Sequence, residues 1–437
     1  MENRWWWRAL GSTVFALTLA GPASATDGHF LHGVGAVNSA MGGAGIAAPG
    51  DLMGSMYLNP AGLTTIDGTR VAFGFEMFKP SRTVSSSMPG LGAGSTESKS
   101  NFVPIPSFGF SMKAGERWTV AVAGLGIGGF GVDYPSSTAN PILANRPNGF
   151  GQVYSNFSLM KIMPAAAVQA SDRLSLGFAL NLDWASLTVD PMPTASPVVA
   201  QTPQGPAPFY SRASAGDGQF GFGLQAGLLY QATDALTFGL AYTSPQWFKD
   251  FTFNAMDENP FSSGYGSARE IVFAMDVPAV YGAGVALQPS ETVLLTGDVR
   301  YITYSSTAGF ETDSPGFQAD GSVDGFGWDD ILVGAAGVEI AASSHWKLRA
   351  GYNYSQNPIP DDLSVYNVAA PAVVQHHLTA GLGFQNGGGF GVDLGLYQAL
   401  ANDITGPFNT PFGVMEVTNE LSETSVLLQF SFSGLGR

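Results

Sequence analysis

The chain contains no cysteine, so neither a disulfide framework nor thiol chemistry is open to it. Charge is also scarce. Only 12% of residues are Asp, Glu, Lys or Arg, where soluble domains carry roughly 25%. Basic residues are the scarcer sign, 18 against 34 acidic, for a net charge of −16. Such a surface repels a phosphate backbone, which excludes nucleic acid as a partner. Beyond the N-terminus no apolar run is long enough to cross a bilayer as a helix. Histidine appears five times. In His376-His377 the neighbours point to opposite sides of a strand, and no second cluster accompanies them, so no metal or other cofactor is expected. No Ser–His–Asp arrangement can be proposed from spacing, so no catalytic residue is assigned and an enzyme is not expected. The acidic stretch 311–330 reads as a solvated loop. Gly124-x-Gly126-x-x-Gly129 matches a dinucleotide fingerprint only in form, because it lies inside a strand pattern and opens no helix.

Apolar residues, by contrast, are plentiful at 45%, with 12% aromatic residues and 57 glycines. Residues 1–25 read as a secretory leader. Arg4 and Arg8 form its basic start, an apolar stretch follows from Ala9 to Ala20, and Ala23-Ser24-Ala25 supplies a small-x-small cleavage site before Thr26.

From residue 70 onward the pattern has period two, the signature of strands with unlike faces. Over 174–184, Leu174, Leu176, Phe178, Leu180, Leu182 and Trp184 share one face, opposite Ser175, Gly177, Ala179, Asn181 and Asp183. Similar alternation fills 346–354 and 425–432. Tyr and Trp recur near strand ends (Trp118, Tyr134, Tyr230, Tyr301, Trp346, Tyr397), as in the aromatic girdles of outer-membrane barrels. Strands are expected at 70–80, 101–113, 117–133, 156–170, 174–189, 218–231, 236–252, 270–287, 291–305, 330–342, 346–357, 374–386, 389–401 and 422–433. The turns after even strands are tiny, as at 171–173, 232–234 and 386–388. Those after odd strands are long: 81–100, 134–155, 190–217, 253–269, 306–329, 358–373 and 402–421. Short periplasmic turns alternating with long outer loops are the layout of an outer-membrane barrel.

The fold class is therefore all-β, a 14-stranded antiparallel transmembrane β-barrel over 70–437. Residues 26–69, rich in Gly and Ala and too long for an idle tail, read as a plug inside the lumen. Acidic outer loops would face lipopolysaccharide and divalent ions.

The segment His29 to Leu63 resembles the hatch of FadL-type long-chain fatty acid transporters. The likeness lies in Ala40-Met41-Gly42-Gly43-Ala44-Gly45 and in Tyr57-Leu58-Asn59-Pro60-Ala61-Gly62-Leu63, with Asn59, Pro60 and Ala61 its most recognisable mark. Further likeness lies in Phe326-Gly327-Trp328-Asp329-Asp330, in 348–354 and in Pro358-Ile359-Pro360. The resemblance implies fourteen strands with a hatch, and passive passage of hydrophobic molecules such as fatty acids or hydrocarbons. It implies capture among the outer loops, here Phe209, Tyr210, Phe253, Phe261 and Tyr265, taken as exposed. It implies an inner pocket touched by Thr26, Asp27 and Gly28. It also implies a side opening at a kinked third strand, here Gly124, Gly126, Gly128, Gly129 and Gly131. Glycine this dense weakens a strand and permits bulges, an independent reason to expect an opening there. Arg300 and Arg349 alternate inward and could meet a ligand carboxylate or hold the plug by a salt bridge; Arg300 is the headgroup candidate. Barrel assembly machinery reads a terminal aromatic, and this chain runs past Phe432 to Arg437, leaving Phe432 for that role. The alternatives are a general porin for polar solutes and a surface adhesin or lipid hydrolase.

Overall fold

The computed structural model describes residues 27–434, apart from 203–204, 215, 217, 313–315 and 411–412. The leader over 1–25 and Thr26 lie outside the described residues. Strands follow in the order β1 (Arg70–Met88), β2 (Gly92–Glu97), β3 (Val103–Lys113), β4 (Trp118–Tyr134), β5 (Val153–Gln169) and β6 (Leu174–Asp190). Next come β7 (Val198–Thr202), β8 (Gly205–Phe209), β9 (Gln219–Gln231), β10 (Leu236–Thr243), β11 (Trp247–Phe248), β12 (Phe251–Met256) and β13 (Ala268–Phe273). The last are β14 (Val280–Ser290), β15 (Val293–Ile302), β16 (Ile331–Ala341), β17 (Trp346–Ser355), β18 (His376–Gln385), β19 (Phe390–Thr410) and β20 (Gly413–Ser433).

Fourteen of these form one closed antiparallel wall. Each wall strand pairs with the next in the chain, β6 passing to β9 and β10 to β14, and β20 pairs with β1 to close the ring. Period two explains the wall's two faces. On β6, Leu176, Phe178, Leu180 and Leu182 are exposed outward, while Ala179, Asn181, Asp183 and Ala185 are buried inside. Among the described residues no helix is long and apolar enough to cross a membrane, so the apolar belt is carried by strands alone.

Strand boundaries differ from expectation in several places; the expected loop 81–100 is mostly strand, with β1 running to Met88 and β2 spanning Gly92–Glu97. The expected strand 236–252 is three pieces, β10, β11 and the start of β12, and the expected strand 270–287 is two, β13 and β14. The wall strands stop at Thr243 and start at Val280, and residues 251–256 pair with 268–273 as a separate hairpin. The region 402–421 is not a loop. It extends β19 and β20 to 21 residues each, about 70 Å at 3.3 Å per residue. Its polar outward residues mark strand standing above the lipid rather than the absence of strand.

Residues 27–69 carry two short helices, Gly35–Ala40 and Leu52–Tyr57, and a 3-10 turn, Pro60–Thr65. Asp51 caps the second helix by accepting from the Gly54 N–H at 2.9 Å. The first helix packs on β1 and on β17 to β20, and the 3-10 turn packs on β4, β5, β6 and β9. The segment thus touches the inner wall on both sides. It can lie so close because the wall omits side chains beneath it. A Cβ on Gly177 would sit 2.1 Å from the Ala61 nitrogen, one on Gly351 2.2 Å from the Met41 carbonyl carbon, and one on Gly239 2.4 Å from the Ile46 carbonyl oxygen.

Candidate functional site

Asn59 shows how the Asn-Pro-Ala element works locally. Its Oδ1 accepts from the Ala61 N–H at 3.0 Å, which caps the 3-10 turn, while Pro60 pre-sets the first turn position. Its Nδ2 donates to the Ile46 carbonyl at 2.7 Å and to the Leu228 carbonyl of β9 at 3.2 Å. One side chain therefore ties the turn, the preceding plug segment and the wall.

The plug's first residues are held by β15 and the turn after it. Arg300 Nη2 lies 2.9 Å from Asp27 Oδ2, and both side chains are buried. The same nitrogen donates to the His32 carbonyl at 3.3 Å. Two residues earlier on the same face, Asp298 Oδ2 accepts from the Gly45 and Ile46 amides at 2.6 and 2.9 Å. Arg300 thus faces the plug, and its guanidinium is already matched by a carboxylate. The Tyr304 hydroxyl donates to the Asp27 carbonyl and accepts from the His29 amide, both at 3.0 Å. Gly28 has φ 71°, and a Cβ there would run into the Tyr304 ring. Burial pushes the His29 imidazole down to about 3 and that of His32 to about 4, so both rings are neutral near pH 7. Burial also raises the Asp27 carboxyl, against the pull of Arg300.

The glycine run lies where the wall parts. β3 and β4 pair from Lys113↔Thr119 only as far as Ser107↔Leu125. Beyond Leu125, β4 stays with β5 through a bulge between Gly126 and Gly128. On its other side it bonds instead to the plug. The Leu31 amide donates to the Ile127 carbonyl at 2.9 Å, and the Gly129 amide donates to the His29 carbonyl at 2.8 Å. Gly128 is where the backbones touch, since a Cβ there would be 2.1 Å from the His29 carbonyl oxygen. Opposite, β3 carries Pro104 and Pro106, which bring no N–H to either edge. Gly124 and Gly126 face Phe108 and Ile105, and Gly131 pairs with Asn156 of β5. The glycines stand out in the sequence, whereas the part played by the prolines is visible only once the register is known.

An aromatic cluster that no motif announces is drawn from five separate stretches, around 29, 130, 157, 310 and 326–328. The His29 ring stacks on Phe310 at 5.0 Å and 6°, with Phe157 at 5.8 Å and Trp328 at 6.3 Å. Phe130 adjoins Phe157 at 5.2 Å and Phe326 at 5.5 Å. Trp328 Nε1 donates to Asn367 Oδ1 at 2.7 Å, so its polar edge is satisfied while its face stays in the cluster. Below it, a cavity of ≈ 50 Å³ is lined by Phe30, Ile46, Ile127, Met163, Ile302 and the cations Lys161 and Arg300. At the short-turn end a polar vestibule of ≈ 670 Å³ lies under the plug. Arg349 is there, held between Glu339 and Asp393 at 2.7 Å each, so it too is paired within the wall.

The loop residues need correction. Phe209, Tyr210 and Phe253, expected to be exposed, are buried. The hairpins β7–β8 and β12–β13 fold back, so one face of each is covered. Phe253 joins Phe251, Ile271 and Phe273 in the main core, and the Tyr210 ring stacks on Phe317. Phe261 and Tyr265 are exposed, at 61% and 62%. His376 and His377 do point apart. The first bonds the Tyr352 hydroxyl on the outer face, and the second is buried against His32 at 5.3 Å. In the acidic loop, Asp320 bonds Ser322, and Asp330 accepts from the Ser305 amide. Asp313 lies outside the described residues.

A closed wall with an outward apolar belt, filled by its own N-terminal segment, defines an outer-membrane β-barrel protein. The family described as "Outer membrane protein transport protein (OMPP1/FadL/TodX)" matches residues 17–410, and the chain belongs to it. Its members are transporters of the outer membrane for hydrophobic compounds. The fold is similar to the Pseudomonas putida toluene transporter TodX, with 18% identity, TM-score 0.69, and 93% of this chain and 100% of that one covered. It is also similar to the Ralstonia pickettii toluene transporter TbuX, with 20% identity, TM-score 0.61, and 92% and 99% covered. A Pseudomonas aeruginosa FadL homologue shares 13% identity, TM-score 0.68, and 95% and 100% coverage. A search of curated proteins returns no match.

Proposed function

We propose that this protein is a passive channel that carries hydrophobic molecules, fatty acids or hydrocarbons, through the outer membrane. Cargo is caught among the outer loops, where Phe261 and Tyr265 offer exposed rings. It then moves past the aromatic cluster to the inner cavity beside Asp27 and Gly28, and leaves sideways between β3 and β4. Asn59, Pro60 and Ala61 keep the rest of the plug in place while its first residues move.

The observation that carries this reading is the position of residues 29–31. They occupy the edge of β4 that β3 gives up, with two backbone hydrogen bonds. Removing them leaves an unpaired strand edge and a gap in the wall. The inner cavity is far below the ~300 Å³ of an ordinary ligand site. Cargo can enter only by displacing something, and the plug's first turn is the nearest movable element. A paired Arg300 makes that displacement an exchange, with a cargo carboxylate taking the place of Asp27.

Deleting Thr26–Gly28 removes the Arg300 partner and the Tyr304 anchor. Initial uptake of labelled oleate and toluene by cells carrying the deletion is expected to change severalfold from that of the intact protein. Unchanged uptake of both probes would defeat plug gating.

A further inference from the structure

We infer that the wall has a second lateral passage, between β10 and β14, suited to uncharged hydrophobic cargo. The inference rests on the transport reading above. These strands pair in register from Leu236↔Leu287 to Thr243↔Val280, and next meet at Gln246 and Val277, whose two N···O distances are 2.9 and 3.1 Å. Between those points lie Ser244 and Pro245 on one side and Pro278 and Ala279 on the other. Two prolines face the same break, and neither has an N–H to give. Their neighbours bond elsewhere. The Ser244 amide donates to Leu224 of β9 at 2.9 Å, and the Ala279 carbonyl accepts from Thr303 at 3.2 Å. The break therefore has the chemistry of the β3–β4 parting, donors removed by proline, without being part of it.

Its height in the wall fits a membrane passage. Tyr242 and Tyr281 lie just below it on the outer face, with rings 5.0 Å apart. Phe222 and Trp247, both exposed, lie just above, 5.4 Å apart. The break thus sits at the rim of the apolar belt.

Space exists behind the break and, on the outer face, directly below it, where a groove reaches up to Tyr242 and Tyr281. The inner cavity is bounded by Thr243, Gln246, Val277, Pro278 and Val280, which frame the break, and also by Phe30 and Ile127 at the other opening. Outside, a groove of ≈ 590 Å³ runs over β9, β10, β14 and β15, bounded by Leu228, Leu240, Val299 and three tyrosines, with no charged side chain. Ala241 and Gly282 line both the cavity and the groove. There the wall is one backbone thick with almost no side chain. Behind it stands Ile46, whose Cδ1 would be 2.6 Å from a Cβ on Gly282 and whose own position is fixed by Asp298. Ile46 is the stopper; Asp298 and Asn59 hold its backbone, so its side chain swings aside while the backbone of the plug stays seated. Because the groove offers no charged partner, a hydrocarbon can use this passage and an ionised carboxylate is held back.

The absence of cysteine makes the test clean. Thr243→Cys with Val280→Cys clamps register partners at the lower edge of the break, a spacing a disulfide tolerates. Ile105→Cys with Gly126→Cys clamps the β3–β4 opening, where a Gly126 Cβ would lie 3.9 Å from that of Ile105. Initial uptake of labelled toluene and oleate is measured in cells carrying each clamp and both, oxidised and then reduced; recovery on reduction of the same cells controls for folding. We expect the β10–β14 clamp to slow toluene severalfold and oleate much less, and the double clamp to bring toluene down to cells without the protein. Ile46→Ala should speed toluene in the β3–β4-clamped protein. A double clamp no slower than the β3–β4 clamp alone overturns the second passage. If the intact protein itself moves neither probe, it is the transport reading that fails, and this inference with it.

Discussion

β19 with β20 and β3 with β4 are hairpins of one sheet, separated only by β1. The first pair holds its ladder from Phe390↔Phe432 to Thr410↔Gly413, with a single register shift. The second gives up after seven pairs, at Ser107↔Leu125. Apolar alternation serves both equally. β19 keeps its partner across Pro407; the difference is a pair of prolines on β3 combined with a glycine run on β4. A barrel wall is continuous by default, because every unpaired amide in lipid costs several kcal/mol. It opens only where the donors have been deleted and another segment of the chain covers the loss. Residues 29–31 provide that cover.

The largest effect that would sharpen this contrast is expected from Arg300→Ala. It leaves Asp27 buried without its partner, at a cost of about 3–5 kcal/mol. Amide exchange at 27–31 should accelerate strongly while the β19–β20 ladder stays protected. Equal loosening of both would mean that plug seating and wall integrity are not separable. Gly128→Ala comes next. Its methyl displaces the His29 carbonyl and endangers two backbone bonds, at about 1 kcal/mol each. Exchange at Leu31 and Gly129 reads this directly, and unchanged protection at both would show that the wall yields instead. Asn59→Ala removes a helix cap and two donor bonds, and should lower plug stability by about 1–2 kcal/mol in thermal unfolding, with the β3–β4 register intact.

Acid gives the smallest effect. His29 and His32 titrate below their ordinary value when seated, at about 3 and 4, so a displaced plug binds more protons. Their contribution to seating is complete above the ordinary histidine value of 6.5 and declines as pH falls toward 4. Asp51 is raised to about 6 and works in the opposite direction, but only below that value. Asp27, also raised, works with Asp51, so the histidine share of the response is the part that raises exchange at 27–32 on acidification. His29→Phe should blunt that rise, and an unaltered pH response would remove His29 from the account.

Much of the fold was legible because period two and loop parity are local signals. The strand over 174–189 needed nothing beyond its own residues. Failures came where the environment changes along a strand. Over 402–421 the outward face turns polar because it leaves lipid, although both strands continue. At 236–252 the apolar pattern continued through Pro245 although the wall strand ends at Thr243. The site was half legible. Asn59, Pro60, Ala61 and the run from Gly124 to Gly131 stand out as motifs. Phe130, Phe157, Phe310 and Phe326 come from distant stretches, and nothing in the chain says that they meet. Pro104 and Pro278 were in plain view, yet their meaning depends on which residue lies across the strand. Phe209, Tyr210 and Phe253 misled because an aromatic on a long loop was taken as uncovered, when the loops cover one another.

The wall glycines beneath the plug have a consequence for how the molecule is made. At Gly177, Gly239 and Gly351 the plug backbone rests on bare wall backbone, with no side chain between to bend or retreat. A fit of that kind leaves no slack for threading residues 27–66 into a finished ring. The fit is reached with hatch and strands brought together, and a single methyl at any of the three glycines would push their backbones apart.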